Sequence, residues 1–449
     1  MSPTFSALRH PGYRLWAQGA IVSNAGTWMQ RVAQDWLVLT QLTDNSGLAL
    51  GITTGLQFLP MLLLAPIGGV VADRFDRRLV LISTQCAMAV LALVLGLLTI
   101  TGVAQLWHVY VLAGLLGTAA ALDTPTRHAF VSELVPREDL PNAVGLNSAS
   151  FHSGRLVGPA LAGLLIHWLG TGPVFLINAV TFGAVLASLL RISPQQRVFG
   201  RATPAAEGRS STRSSGGIRA GLRYVRGRPD IVLVLVVVGV VGMFGLNFQL
   251  TNALMARLEF AKGAGEYGLL GSAMAIGSLS GALLAARRAR PNLALVLGAS
   301  AAFGVSAIAA ALMPGYTSYA ISLIFVGLCS LTLMTSANAM VQLSTTPAMR
   351  GRVMSLYLAV FMGGTPLGAP VIGWIGSHFG ARWSVLVGGV VAILTAGAAL
   401  AWALRSPAIR LFADPVALGE TPMEPTGPNS AGLNSGLNTD ESLRSAERL

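Results

Sequence analysis

Charge is scarce in this chain. Only 11% of its 449 residues are charged and 53% are hydrophobic, where a soluble domain carries about 25% charge. With a mean hydropathy of +0.64, the composition excludes a soluble globular protein and implies an integral membrane protein. Cysteine is nearly absent as well. Cys86 and Cys329 both lie inside apolar runs, so no disulfide or metal framework is implied. No G-x-x-x-x-G-K-[ST] loop occurs, which removes nucleotide hydrolysis as an energy source. No hydrolase or metal constellation is legible, so the chain reads as a non-enzyme needing no cofactor and no resident metal. Lysine is reduced to Lys262 among 30 basic residues. A formal charge of +12 would suggest nucleic acid in a soluble protein. Here the arginines cluster in short loops between apolar runs, the positive-inside pattern, and no nucleic-acid partner is expected.

Long apolar runs are abundant. A spanning helix needs about 20 mostly apolar residues. Twelve such runs fall near 14–40, 48–72, 79–100, 107–128, 143–168, 174–192, 230–256, 267–286, 292–312, 318–341, 353–375 and 383–404. Turn chemistry separates them at Thr43–Gly47, Gly170–Pro173 and Pro314–Gly315. Runs of this length are helices, because lipid tolerates no unpaired backbone. The expected fold is an all-α membrane protein with twelve transmembrane helices in two six-helix bundles. The first run lacks a cleavable-signal layout and reads as a retained span.

Orientation follows the arginines. One set of loops holds Arg74, Arg77, Arg78, Arg137, Arg287, Arg288, Arg290, Arg350 and Arg352. The segment 193–229 adds eight more arginines against one acid, Glu207. The opposite loops hold Arg257, Lys262 and Arg382. Both termini and the middle segment are therefore expected in the cytoplasm. The division is residues 1–192, a first bundle; 193–229, a basic linker, flexible around 208–217 with a short surface helix near 218–225; 230–405, a second bundle; and 406–449, a disordered cytoplasmic tail rich in Pro, Asn, Ser, Gly and Glu. The stretches 154–163 and 364–373 match at an offset of 210, as do Gly117 with Gly327 and Ala129 with Ala339. Two six-helix units in parallel repeat place a binding site between them near the midplane.

Asp35 is the one acid deep inside an apolar run, and Arg31 precedes it by one helical turn. Each costs about 2.5–3.5 kcal/mol on insertion scales, so their retention points to use. Asn24, Trp28, Arg31 and Asp35 are spaced 4, 3 and 4, one helical face, flanked by Gln30 and Gln34. Burial favours the neutral acid and a neighbouring guanidinium favours the carboxylate, which suits either a proton-coupling device or a structural ion pair. The fifth run repeats the spacing with Ser148, His152, Arg155 and Pro159. Arg155 is a second partner for Asp35 or an anion-binding group. Asn247, Gln249, Thr251 and Asn252 supply uncharged polar groups in the seventh run, with Gln57, Asn178 and Asn338 elsewhere. Helix–helix hydrogen bonding is the equal alternative for these.

The segment Gly69-Val70-Val71-Ala72-Asp73-Arg74-Phe75-Asp76-Arg77-Arg78 resembles the loop signature G-x-x-x-D-R-x-G-R-R of the major facilitator superfamily, with Asp76 in place of the second glycine. The resemblance spans about 1–405. It implies a cytoplasmic gate built from Gly69, Asp73, Arg74, Arg77 and Asp123, with Gly69 allowing close helix contact, Asp73 facing a helix N-terminus and Arg77 pairing with Asp123. The second-half counterpart, 281–288, retains no acid. Gly158, Pro159 and Gly163 resemble the family's antiporter signature, and small residues there permit tight packing. The fourth run lacks the family's arginine at 113–117. More narrowly, 26–31 and 123–127 resemble the subgroup of enterobactin exporters and macrolide-efflux carriers. That implies a monomeric, proton-coupled exporter of an amphipathic, drug-like or siderophore-like small molecule in a bacterial cytoplasmic membrane. An importer or facilitator of a nutrient or lipid-like solute, and a non-transporting receptor or scaffold, are the competing readings.

Overall fold

A computed structural model describes residues 3–197, 214–286, 291–406 and 409. The serine-rich linker at 198–213, Arg287, Arg288 and Arg290, and nearly all of the tail lie outside the described residues. Every regular element among the described residues is helical.

Six helices form the first half: α1 (Pro11–Leu37), α2 (Gly47–Arg74), α3 (Arg77–Ile100), α4 (Leu106–Leu134), α5 (Leu140–Leu169) and α6 (Thr171–Arg191). The linker contributes α7 (Ser214–Arg226), where a short helix is expected. The second half comprises α8 (Pro229–Phe244), α9 (Phe248–Leu254), α10 (Ala264–Ala286), α11 (Leu293–Ala311), α12 (Tyr316–Ser344), α13 (Arg350–Phe379) and α14 (Ala381–Arg405). With α8 and α9 as one interrupted span, twelve spans result. Ten of these are long and apolar enough to cross a membrane by composition alone. The two that fall short are α1 and α5, the helices loaded with polar stripe residues.

Helix ends follow local chemistry. Pro11 opens α1, where its missing N–H costs nothing. Ser46 caps α2 through the Ala49 amide (3.2 Å), and Asn292 caps α11 through Leu295 (2.9 Å). Asp76, the departure from the family glycine, caps α3 by accepting from the Leu79 amide at 3.1 Å. The repeat is visible in the helices themselves. α4 and α12 start at 106 and 316, and α5 and α13 at 140 and 350, each 210 apart. Gly170 and Gly380, also 210 apart, end α5 and α13 with φ of +84° and +101°, a region open to glycine at no steric cost.

The seventh span departs from the expected continuous helix. Gly245, Leu246 and Asn247 interrupt it between α8 and α9. Glycine lowers helix propensity and asparagine competes for backbone hydrogen bonds. Here the Asn247 side chain donates to the Met243 carbonyl at 2.7 Å. Irregular backbone at this depth is tolerated only where protein or a cavity surrounds it.

The halves meet through α2 against α13 and α5 against α10. For orientation, the side holding the start of α1, the end of α14 and α7 is termed the linker side and the opposite one the far side. The cross-half contacts concentrate from the far side to the middle. The amides of Gly47 and Leu48 donate to Ser377 Oγ (2.7 and 3.2 Å), and Arg257 donates to Asn45 Oδ1 (3.1 Å). Ser272 donates to the Leu156 carbonyl at 2.7 Å. A Cβ on Gly163 would stand 2.6 Å from the Ala264 carbonyl oxygen, so the α5–α10 crossing requires glycine there.

Candidate transport site

The cross-half interface holds a central cavity of about 130 Å3. Trp28 and Val32 of α1, Thr54 and Phe58 of α2, and Arg155 and Pro159 of α5 form its first-half wall. The second half contributes Leu246 to Leu250 and Asn252 around the break, Tyr267, Gly271 and Met274 of α10, and Thr365 of α13. The interruption thus lies against the cavity. Among the described residues Asn247 Oδ1 and Thr251 Oγ1 are buried without a hydrogen-bond partner, and Asn247, which lines the cavity, offers a polar atom that a ligand can satisfy. A smaller cavity of about 50 Å3 adjoins, lined by Gln30, Arg31, Gln57, Phe58 and Asn178 among others.

Asp35 is buried on α1, and its Oδ2 accepts a hydrogen bond from Tyr267 Oη of α10 at 2.8 Å. The same hydroxyl lies 3.1 Å from the Gln249 carbonyl oxygen. Trp36 stacks on the Tyr267 ring at 6.0 Å between centroids. Arg31 takes no ion pair with Asp35 among the described residues. Its guanidinium lies over the rings of Trp28 (4.8 Å) and Phe58 (5.3 Å), and that of Arg155 lies 5.5 Å from the Trp28 centroid. The charged residues therefore share a neighbourhood, but the acid is held from the other half.

The other stripe residues divide by face. Trp28, Asn247, Gln249 and Asn252 line the central cavity, and Gln30 and Gln57 the smaller one. Asn24, Gln34 and Asn338 line neither. Asn24 donates to Ser150 Oγ at 2.9 Å, tying α1 to α5. Asn338 accepts from Gln342 within α12 at 2.7 Å. Gln30 is also a packing residue, since it accepts from Asn178 of α6. Asn252 accepts from Tyr319 of α12 at 2.8 Å. Gly158 lets α1 approach, because a Cβ there would stand 2.6 Å from Trp28 Cβ. Pro159 lines the cavity and faces Gly268 and Gly271 of α10. Tyr267 escapes a reading by apolar runs. Its only sequence signal is a phenol inside a span, which needs a partner when buried.

At the linker-side loop the pairing differs from expectation. Arg77 reaches Glu133 (3.2 Å), while Asp123 accepts from Thr84 (2.9 Å), Gln85 (2.8 Å) and Arg127 (2.8 Å). Arg77 opens α3 at the membrane edge. Asp123 faces a point some seven residues further along α3, about 10 Å deeper at 1.5 Å per residue. A Cβ on Gly69 would meet nothing within 4 Å, whereas one on its neighbour Gly68 would stand 2.6 Å from the Ala121 carbonyl oxygen. The close α2–α4 contact therefore belongs to Gly68. Asp73 and Arg74 are exposed, with no hydrogen bond or ion pair among the described residues. Asp76 pairs with Arg197 at 3.3 Å.

Comparison with known proteins agrees with this architecture. The profile of the transmembrane secretion effector family matches residues 2–416. The enterobactin exporter EntS of Shigella boydii is 26% identical over 375 residues, covering 82% of this chain and 86% of that protein. The uncharacterised transporter YfiS of Bacillus subtilis is 29% identical over 265 residues, 59% of this chain and 60% of YfiS. The staphyloferrin A transporter of Staphylococcus aureus is 30% identical over a shorter stretch, 36% of this chain and 41% of that protein. A bacterial homologue of the human lysosomal transporter Spinster, solved inward-facing and unoccupied, shares the fold with a TM-score of 0.67 at 16% identity, over 89% of this chain and 97% of that one. Twelve spans in two repeats, a cavity between them and a family match over nearly the whole chain place this multi-pass membrane protein among the major facilitator transporters, in the transmembrane secretion effector family.

Proposed function

We propose that the chain is a proton-coupled exporter of an amphipathic small molecule, working by alternating access. The observation that carries this reading is the Tyr267–Asp35 hydrogen bond. The one acid buried in α1 of the first half takes its donor from the second half. Any motion that parts the halves on the far side withdraws Tyr267 and leaves the carboxylate to find another partner. A buried carboxylate without donors is strongly penalised. The parting of the halves is thus the moment at which Asp35 exchanges a proton. Arg31 and Arg155 set the field around it from α1 and α5.

The same motion accounts for Asp73 and Arg74. Among the described residues the cross-half hydrogen bonds lie from the far side to the middle, and Asp73 and Arg74 have no partner at the linker side. In the reverse state the linker side closes, and Gly69, Asp73, Arg74 and Arg77 meet the second half as a gate. Asp123 braces α3 against α4 beneath it. Export as the direction rests on the named exporters among the relatives.

Transport into inside-out vesicles, with and without a pH gradient, tests the reading. The unmodified protein accumulates substrate only when the gradient is present. Asp35→Asn loses gradient-driven accumulation while retaining its fold and binding. Gradient-driven accumulation by the variant at the normal rate would overturn the role given to Asp35. Cells without the protein should retain substrate; reduced uptake in such cells would favour the importer.

A further inference from the structure

The two adjoining cavities present cations and no anion. Arg155 lines the central cavity and Arg31 the smaller one, with Phe58 common to both walls. Neither lining contains an Asp or Glu among the described residues. The acid on the same helix, Asp35, is committed to Tyr267. Within 4.0 Å of either guanidinium there is no carboxylate among the described residues, and Arg31 Nε is buried with no partner.

What surrounds these guanidiniums is aromatic. Both lie over Trp28, at 4.8 and 5.5 Å from its centroid, so they are within about 10 Å of each other. A ring face attracts a cation, but it replaces only part of the hydration lost on burial. A guanidinium carries five N–H donors in a fork that matches a carboxylate. Two such forks beside Trp28, Phe58 and Phe248 make a site with a charged end and an apolar wall. A cationic ligand would meet like charge at that end.

From this geometry we infer that the compound bound between the halves is a hydrophobic organic anion. Its carboxylate-type group engages Arg31 and Arg155, and its hydrocarbon lies on Trp28, Phe58 and Phe248. This rests on the transport reading above and narrows its substrate class. Cationic amphiphiles, which the resemblance to macrolide carriers admits, are poor ligands on this account.

The test is a calorimetric titration of the full chain in detergent with three probes of one shape: 1-naphthoate, 1-naphthamide and 1-naphthylmethylammonium. Naphthoate should bind at least tenfold more tightly than the other two, about 1.4 kcal/mol, since it alone presents a full negative charge to the guanidiniums. Arg155→Gln and Arg31→Gln should each weaken naphthoate about tenfold and leave naphthamide unchanged, while Arg155→Lys, which keeps the charge, should lose less. Thermal unfolding of each variant checks that it folds, and the three-probe series on the unmodified chain needs no variant. Equal affinity for all three probes, or no naphthoate binding, would overturn the inference. So would equally effective displacement of naphthoate by chloride or inorganic phosphate, which would mark a site for simple ions. Arginine-dependent naphthoate binding without flux in liposomes would leave this inference standing and sink the transport reading instead. Flux of the naphthylmethylammonium cation without flux of naphthoate would do the reverse.

Discussion

Asp76 stands where the family signature has glycine, and its side chain has two partners, the Leu79 amide and Arg197. Burial pushes its carboxyl up, but the backbone hydrogen bond and the Arg197 charge outweigh this and hold it below the ordinary carboxylate range. Asp76→Ala should cost about 1 kcal/mol as a lost helix cap, whereas Asp76→Gly should cost only a few tenths. Thermal unfolding in detergent separates the two, and equal losses would show that the cap contributes nothing. Asp139 makes a second linker-side anchor. It accepts from Arg9 (2.6 Å) and His10 (2.8 Å), strapping the N-terminal segment to α5. Hydrogen bonds from His10, Arg9 and Ser6 hold its carboxyl well below the usual range. A depressed folded value stabilises above the unfolded pKa, about 3.9, and this contribution is lost as pH falls further. Amides of residues 5–10 should therefore keep their protection against hydrogen exchange, relative to the unfolded chain, from neutral pH to about pH 5. That protection should fall below about pH 4, and be low at neutral pH in Asp139→Asn. An unchanged exchange rate in that variant would remove the strap. Helical spacing in the sequence shows which residues share a face, and Trp28, Arg31 and Arg155 do gather. It does not show which neighbour that face meets. Asn24 meets Ser150 and Arg77 meets Glu133 because depth along the opposing helix decides the partner.

Elements divide the labour between packing and movement. The α5–α10 and α2–α13 crossings are lined by glycine, so the far-side seal depends on backbone meeting backbone. Gly268 packs directly on the Pro159 carbonyl, and Gly268→Leu should hold that crossing apart. A cysteine at Thr365 in the cavity lining reports this, with Cys86 and Cys329 replaced by alanine. A membrane-impermeant maleimide on the far side should leave that cysteine unlabelled when Gly268 is intact and label it in the Gly268→Leu variant. Equal labelling would show that the crossing is not the seal. Ten of the twelve spans are legible because hydropathy averages over a window about as long as a helix, while α1 and α5 fall short of it. The same averaging hides the three-residue interruption at Gly245–Asn247, which leaves the mean of the run strongly apolar.

Over the whole molecule, orientation rests on an imbalance of arginine across the two sides. The far side carries the single lysine, Lys262, exposed in the loop before α10. If the linker side is cytoplasmic, an impermeant amine-reactive ester applied to intact cells should label the chain, and Lys262→Arg should abolish the labelling. Labelling of Lys262 itself that appears only after lysis would invert the assignment. The 210-residue offset read from sequence becomes, in three dimensions, two pairs of helices in register and a matched glycine turn at 170 and 380. The symmetry stops at the first span of each half. In the first half that span runs unbroken from Pro11 to Leu37 and bears the charges; in the second it is jointed at Asn247 and bears none in its middle. The carrier thus resembles a vice with one rigid jaw and one knuckled jaw. The rigid jaw fixes where charge stands through every stroke, and the knuckle conforms to what is gripped. If Asp35 carries the coupling as proposed, substitutions in the knuckle retune the cargo without touching the charged helix.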